Sequence, residues 1–157
     1  MSAEETTKTI KAYCLRLLAR REHSRKELLN KCLLKGFQKN DVLPVLDELT
    51  DKGWQDDARY AESYARQRIQ KGYGPIAVQY ELSQNGVQPD TIEPLLHSVA
   101  DSWLDVLEQV YHKKYTHDRR LSRQEWAKRS RFLLQRGFPA DMVSALFTHL
   151  AIRFPKF

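Results

Sequence analysis

The chain has 157 residues, with 26 Lys and Arg against 20 Asp and Glu and a formal net charge of +6. Hydrophobic residues make up 41% and charged ones 29%, which excludes wholesale disorder, and six Gly and six Pro exclude a collagen-like or low-complexity chain. No apolar run approaches the ~18 residues of a bilayer span, the polar stretch Met1 to Thr9 lacks the apolar run of a secretory signal, and Cys14 and Cys32 alone cannot make a disulfide framework, so a cytoplasmic, reducing compartment is expected.

Residues 1–9 read as a flexible N-terminal segment, and from there the pattern is helical. Ile10, Tyr13, Cys14, Leu17 and Leu18 fall on one helix face. Ser24 with Glu27 three residues on is a capping box, opening a second helix with Leu28, Leu29, Cys32 and Leu33 inward and Gly36 at its end. Val42, Val45, Leu46 and Leu49 mark a third helix, stopped by Gly53. A fourth starts after Asp56, carries Tyr60, Ala61, Tyr64, Ala65 and Ile69, and breaks at Gly72 and Gly74. Pro75 suits the first turn of a fifth, where its missing N–H costs nothing, and Gly86 ends it. Pro89 and Asp90 lead into a sixth with Ile92, Leu95, Leu96 and Val99, and a seventh holds Trp103, Leu107, Val110 and Tyr111. Ser122 with Glu125 is a second capping box, opening an eighth helix with Trp126, Ser130, Leu133 and Leu134 inward and Gly137 at its end. Met142, Val143, Leu146, Phe147 and Leu150 mark the ninth. No segment alternates with period two, so no sheet is expected.

Aligned on their helix stops, three stretches repeat: Leu33 to Phe37 followed by Asp41, Leu82 to Val87 followed by Asp90, and Leu133 to Phe138 followed by Asp141. The stop glycines, Gly36, Gly86 and Gly137, are 50 and 51 residues apart, and each is expected to take the left-handed conformation that ends a helix. A unit of this size is marginal alone, whereas stacked units share buried faces. The predicted fold is all-α: three tandem three-helix repeats, residues 10–53, 54–101 and 102–153, forming an elongated, curved body.

Charge is uneven. Residues 1–52 carry 11 basic and 8 acidic side chains, residues 53–109 carry 4 and 9, and residues 110–157 carry 11 and 3. The basic last third suits nucleic acid or an acidic protein surface, against the plain reading of a solvated helix face. Catalytic signals are lacking. Asp56 and Asp57 stand where a helix begins and read as caps. Cys14 and Cys32 sit on apolar stripes without the spacing of a metal site. His23, His97, His112, His117 and His149 are scattered, and Lys71-Gly72-Tyr73-Gly74-Pro75 reads as a helix-breaking turn. Neither a nucleophile–base pair nor a phosphate-binding loop of the Gly-x-x-x-x-Gly-Lys-Ser/Thr type is present, so no enzyme activity, no cofactor and no metal are expected.

Two stretches go beyond helix grammar: His23-Ser24-Arg25-Lys26-Glu27-Leu28 with Lys31 and Gly36, and Gly53-Trp54-Gln55-Asp56-Asp57-Ala58-Arg59-Tyr60-Ala61 running on through Tyr64, Arg66, Arg68, Lys71 to Pro75, Glu81-Leu82 and Gly86-Val87. Together they resemble the RecX family, small bacterial regulators of the RecA recombinase, over roughly Tyr13 to Leu150. The resemblance implies an all-helical protein of three tandem three-helix repeats. It also implies a negative regulator that binds the groove of the RecA–single-stranded DNA filament and inhibits filament extension, ATP hydrolysis, strand exchange and SOS co-protease activity, in homologous recombination and DNA repair.

With that resemblance, two basic clusters are expected to face the filament or its DNA. The first is Arg59, Arg66, Arg68 and Lys71, with Tyr73 as a stacking residue. The second is Lys113, Lys114, Arg119, Arg120, Arg123, Lys128 and Arg131. The expected partners are the RecA filament and single-stranded DNA, met by a monomer without a membrane. The alternative is a helix-turn-helix-like DNA-binding protein, against which the last helices of the second and third repeats carry no Arg, Lys, Asn or Gln to read bases.

Overall fold

The computed structural model describes residues 1–153. Among them are nine helices: α1 (Ala3–Arg20), α2 (Arg25–Leu34), α3 (Lys39–Asp51), α4 (Asp57–Gln70), α5 (Pro75–Gln84), α6 (Pro89–Ser98), α7 (Trp103–Lys114), α8 (Arg123–Gln135) and α9 (Ala140–His149). Extended pairing among the described residues is limited to one bridge between Arg120 and Arg153, so the expected all-helical fold is observed. The chain forms two compact units. Among the described residues, one comprises Met1–Tyr64 and Leu82–Leu95, the other Ala65–Glu81 and residues 96–153. The helices of the middle repeat are thus divided between the two.

In the first unit α1, α2 and α3 close around Ile10, Cys14, Leu28, Cys32, Val42, Val45, Leu46 and Leu49, all buried. The Cys14 and Cys32 Sγ atoms lie 3.6 Å apart, and that contact together with burial pushes the Cys14 thiol pKa up. Both cysteines are core residues. The segment expected to be flexible, residues 1–9, is helical from Ala3. The Ser2 hydroxyl caps the Glu5 N–H, and Glu4 and Glu5 stand in the first turn, where carboxylates favour the positive helix end. This start is polar, so apolar periodicity did not reveal it. The Ser24–Glu27 capping box is formed in full, but Leu33 is exposed rather than inward and Leu34 is 88% exposed.

The Gly53-to-Asp57 stretch ties loops together. The buried Gln55 side chain donates to the His23 carbonyl at 3.3 Å and to Asp57 Oδ1 at 2.8 Å, and accepts from Thr50 Oγ1 at 2.8 Å. Asp57 Oδ1 also accepts the Arg25 N–H at the start of α2, 2.9 Å away, while Asp56 accepts the Arg59 N–H at 3.1 Å. Both carboxylates therefore act as caps. His23 is buried, and its Nδ1 lies 3.1 Å from the Arg21 carbonyl oxygen. That oxygen can only accept, so Nδ1 carries the proton. Burial lowers the His23 pKa below its ordinary value.

In the second unit α7, α8 and α9 close around Leu107, Tyr111, Leu133, Phe138, Val143, Leu146 and Phe147, with Trp126 edge-on to Phe147 at 4.6 Å. On α8 the Ser122 hydroxyl caps the Glu125 N–H at 3.1 Å, but the expected return bond of a capping box is replaced. Glu125 Oε1 instead accepts from Arg129 Nε at 3.0 Å. Leu134, expected inward, is exposed, and Arg129 is 5% exposed. Its guanidinium reaches the Tyr111 hydroxyl at 2.7 Å and Asp118 Oδ2 at 3.3 Å. Burial alone would lower the Arg129 pKa, but Glu125, Tyr111 and Asp118 raise it, so the charge is held.

Gly36, Gly86 and Gly137 all end helices with φ of +95°, +84° and +93°, as expected. Their surroundings differ. A β-carbon at Gly36 would meet nothing within 4 Å, whereas one at Gly137 would stand 2.5 Å from Ala77 Cβ. There the start of α5 abuts the end of α8, with the Gly74 N–H on the Arg136 carbonyl at 2.7 Å and the Ile76 N–H on that of Gly137 at 2.9 Å.

Three outcomes follow from this packing. Gly36→Ala adds only left-handed strain, about 1 kcal/mol, while Gly137→Ala adds overpacking against backbone and should cost about 3 kcal/mol or more; urea unfolding of both variants measures the gap. Arg129→Met leaves the Tyr111 hydroxyl buried without its donor and should cost about 2–3 kcal/mol, whereas exposed Arg131→Ala should stay within about 0.5 kcal/mol. For His23 the unfolded chain binds the proton more readily, so stability falls as pH drops from the ordinary value of 6.5 through the lowered folded value, and the loss is complete below it. In His23→Asn, which keeps a donor but does not titrate, the difference in urea midpoint between about pH 7 and about pH 5 should shrink.

Candidate functional site

The second unit holds a cleft of about 600 Å³ where the end of α4 and its following turn meet α7 and the end of α8. Ile69, Val106, Val110 and Phe132 give it an apolar floor, and Lys71, Lys113, Lys114 and Arg136 supply four cations with no acidic lining residue. Local sequence accounts for the walls. Gly72 ends α4 at φ +89°, the left-handed turn that favours glycine, and a β-carbon there would make only ordinary contact, 3.5 Å from Val110 Cγ2 and 3.8 Å from Arg136 Nη1. Along α8 and its C-terminal cap, Lys128, Phe132 and Arg136 recur every fourth residue and share one face.

Aromatic rings hold part of this charge in place. Lys114 Nζ sits 3.7 Å from the centre of the Phe132 ring, and the Arg136 guanidinium 5.1 Å from it. Arg136 Nη1 also donates to the Lys71 carbonyl at 3.0 Å. Tyr73 carries two guanidinium groups, Arg68 at 3.7 Å and Arg136 at 4.7 Å, and Arg68 is paired with Glu81 at 2.8 Å. Such contacts contribute ~0.5–1 kcal/mol each at exposed positions.

The expected clusters are therefore redistributed. Arg59 belongs to the first unit and serves the fold: it pairs with Glu22 at 2.7 Å and donates to the carbonyls of Gly53 and Trp54. Arg66 is exposed on α4. Arg68 and Tyr73 are bound to each other, and Lys71 joins Lys113 and Lys114 in the cleft. Arg119 and Arg120 are exposed in the loop before α8, whose backbone is fixed by the Leu121 N–H on the Arg153 carbonyl at 3.0 Å and the Arg153 N–H on that of Arg119 at 2.6 Å. Arg123, Lys128 and Arg131 are exposed on α8. Arg136 was not in either cluster. Its signal was the i, i+4 spacing from Phe132, visible only once Phe132 is known to face the cleft.

Among the described residues no group of three or more His, Cys, Asp or Glu could hold a metal, and no helix is long and apolar enough to cross a membrane. The positions of α9 facing solvent are Ala140, Asp141, Ser144, Ala145, Thr148 and His149, which lack the bidentate side chains of base readout.

Family models place the three helical domains in chain order. The first three-helix domain of RecX matches residues 11–58, the second residues 56–96 and the third residues 101–147. The regulatory protein RecX of Legionella pneumophila is 43% identical over 133 residues, 85% of this chain and 89% of that protein. The regulatory protein RecX of Pseudomonas fluorescens is 38% identical over 144 residues, 92% and 93% of the two chains. In fold, the crystal structure of RecX from Lactobacillus salivarius superposes with a TM-score of 0.78 at 22% identity, covering 96% of this chain and 99% of that one. With three domains matched in order and identity sustained across most of its length, the chain belongs to the RecX family of regulatory proteins.

Proposed function

We propose that the protein is a negative regulator of the RecA recombinase. It binds in the groove of the RecA–single-stranded DNA filament as a monomer, in the cytoplasm. There it inhibits filament extension, ATP hydrolysis, strand exchange and SOS co-protease activity, without chemistry of its own. Family membership supports the regulatory role. The observation that carries the contact surface is the set of exposed cations in the third repeat, Lys113, Arg119, Arg120, Arg123, Lys128 and Arg131, together with Lys71 at the cleft. Surface charge of this kind steers association and sets specificity more than it adds affinity. Any direct contact with DNA is electrostatic and sequence-tolerant, so it weakens steeply with salt.

The test is ATP hydrolysis by preformed RecA–single-stranded DNA filaments. Substoichiometric protein should lower the rate, and Arg119→Glu with Arg120→Glu should relieve that inhibition, most at low salt. The control reverses Lys8 and Lys39, both exposed in the first unit. Lys11 is unsuitable there, because its Nζ pairs with Glu48 at 2.7 Å. Unchanged hydrolysis with the wild-type protein would refute the reading. Loss of inhibition in the control, with the Arg119/Arg120 variant folded and active, would move the contact to the first repeat.

A further inference from the structure

We propose that the cleft of the second unit captures an acidic peptide segment carrying an aliphatic side chain, supplied by a partner protein. This deepens the filament-binding reading and rests on it only for the source of the peptide.

The chemistry of the walls selects the ligand. A volume of about 600 Å³ lies within the ~300–1,000 Å³ of sites that enclose small ligands. The floor is aliphatic at Val106 and Val110, which rewards an apolar anchor. Above it stand Lys71, Lys113, Lys114 and Arg136. Three helix C-termini end here, those of α4, α7 and α8. Each contributes roughly half a negative charge, so the four cations retain a net of about +2.5. That excess matches two or three carboxylates.

Nucleic acid is the weaker match. Sequence-tolerant binding of single strands uses open aromatic faces on which bases stack. Here the Phe132 ring lies under Lys114 and Arg136, and Tyr73 under Arg68 and Arg136. A base would have to displace a cation from each ring to stack. A carboxylate needs no such displacement, because it can pair with the cation where it stands. Lys113 is exposed at the cleft's edge and, among the described contacts, makes no ion pair within the chain. It is therefore available for a ligand.

The experiment uses the full chain, labelled with ¹⁵N and titrated with a blocked hexapeptide of sequence Ser-Asp-Leu-Leu-Asp-Glu, followed by amide shifts. The expected result is saturable shifts at Gly72, Gln109 and Val110. Replacing both leucines of the peptide by serine should weaken binding about tenfold, and Lys113→Glu in the protein should do the same. The amide spectrum of Lys113→Glu away from the cleft reports that it is folded. Absence of shifts at the cleft overturns the proposal. So does equal binding of the serine peptide, or a thymidine hexanucleotide that shifts the same amides at equal or lower concentration. The filament assay separates the two readings: peptide binding without any effect on ATP hydrolysis sinks the filament function alone, and inhibition by a protein that ignores the peptide sinks the cleft alone.

Discussion

The arrangement of the second unit depends on one close approach of two helix ends. Gly137 and Gly74 let the last turn of α8 meet the first turn of α5 backbone to backbone, with a β-carbon at either position falling within 2.6 Å of the other chain segment. A helix start has orphan N–H groups and a helix end has orphan carbonyls. Here the Gly74 and Ile76 N–H groups take the carbonyls of Arg136 and Gly137, so each end satisfies the other. Fixing the Arg136 backbone also places its side chain, which then caps the Lys71 carbonyl and covers Tyr73. The cationic wall of the cleft is in this way a consequence of a glycine. In the first unit Gly86, at the end of α5, lies against Lys26 near the start of α2, and Lys26 Nζ donates to the Gln84 carbonyl at 3.0 Å. The same kind of joint thus recurs, with a lysine side chain supplying the donor.

The basic residues divide by what they touch. Arg59, Arg68 and Arg129 are spent on the fold, through Glu22, Glu81 and the Glu125–Tyr111–Asp118 set. Lys71, Lys113, Arg119 and Arg120 have exposed side chains, where single exposed charges contribute little to stability. This separation is what a binding surface needs, because its charges can be exchanged for a partner's counter-charge without loosening the core. Net charge alone does not reveal this division: Arg129 and Arg131 count equally in composition and lie on opposite sides of the same helix.

What the sequence made legible was local. Stop glycines, Pro75 in a first turn and the Ser24–Glu27 box depend on neighbours within a few residues, and all stand as expected. The misses come from competition at longer range. Glu125 had a cap to complete, but a buried Arg129 needed its carboxylate more, because an uncompensated buried charge costs far more than half a capping box. Leu134 stays outside because α8 turns Arg129 and Leu133 inward. The start of α1 is held by a serine cap and the first-turn carboxylates Glu4 and Glu5 rather than by apolar spacing. The cleft could not be read at all, since its walls come from residues near 70, 110 and 135, which only the fold brings together.

The joint between α8 and α5 is tested most directly by amide hydrogen exchange of Gly74 and Ile76 in the full chain. These two N–H groups stand at a helix start and have no partner within α5. If they are bound to Arg136 and Gly137, they should exchange as slowly as interior amides of α8, and Gly137→Ala should abolish that protection. Exchange of both at the rate of open turn amides in the unaltered protein would contradict the joint, and with it the account of how Arg136 comes to line the cleft.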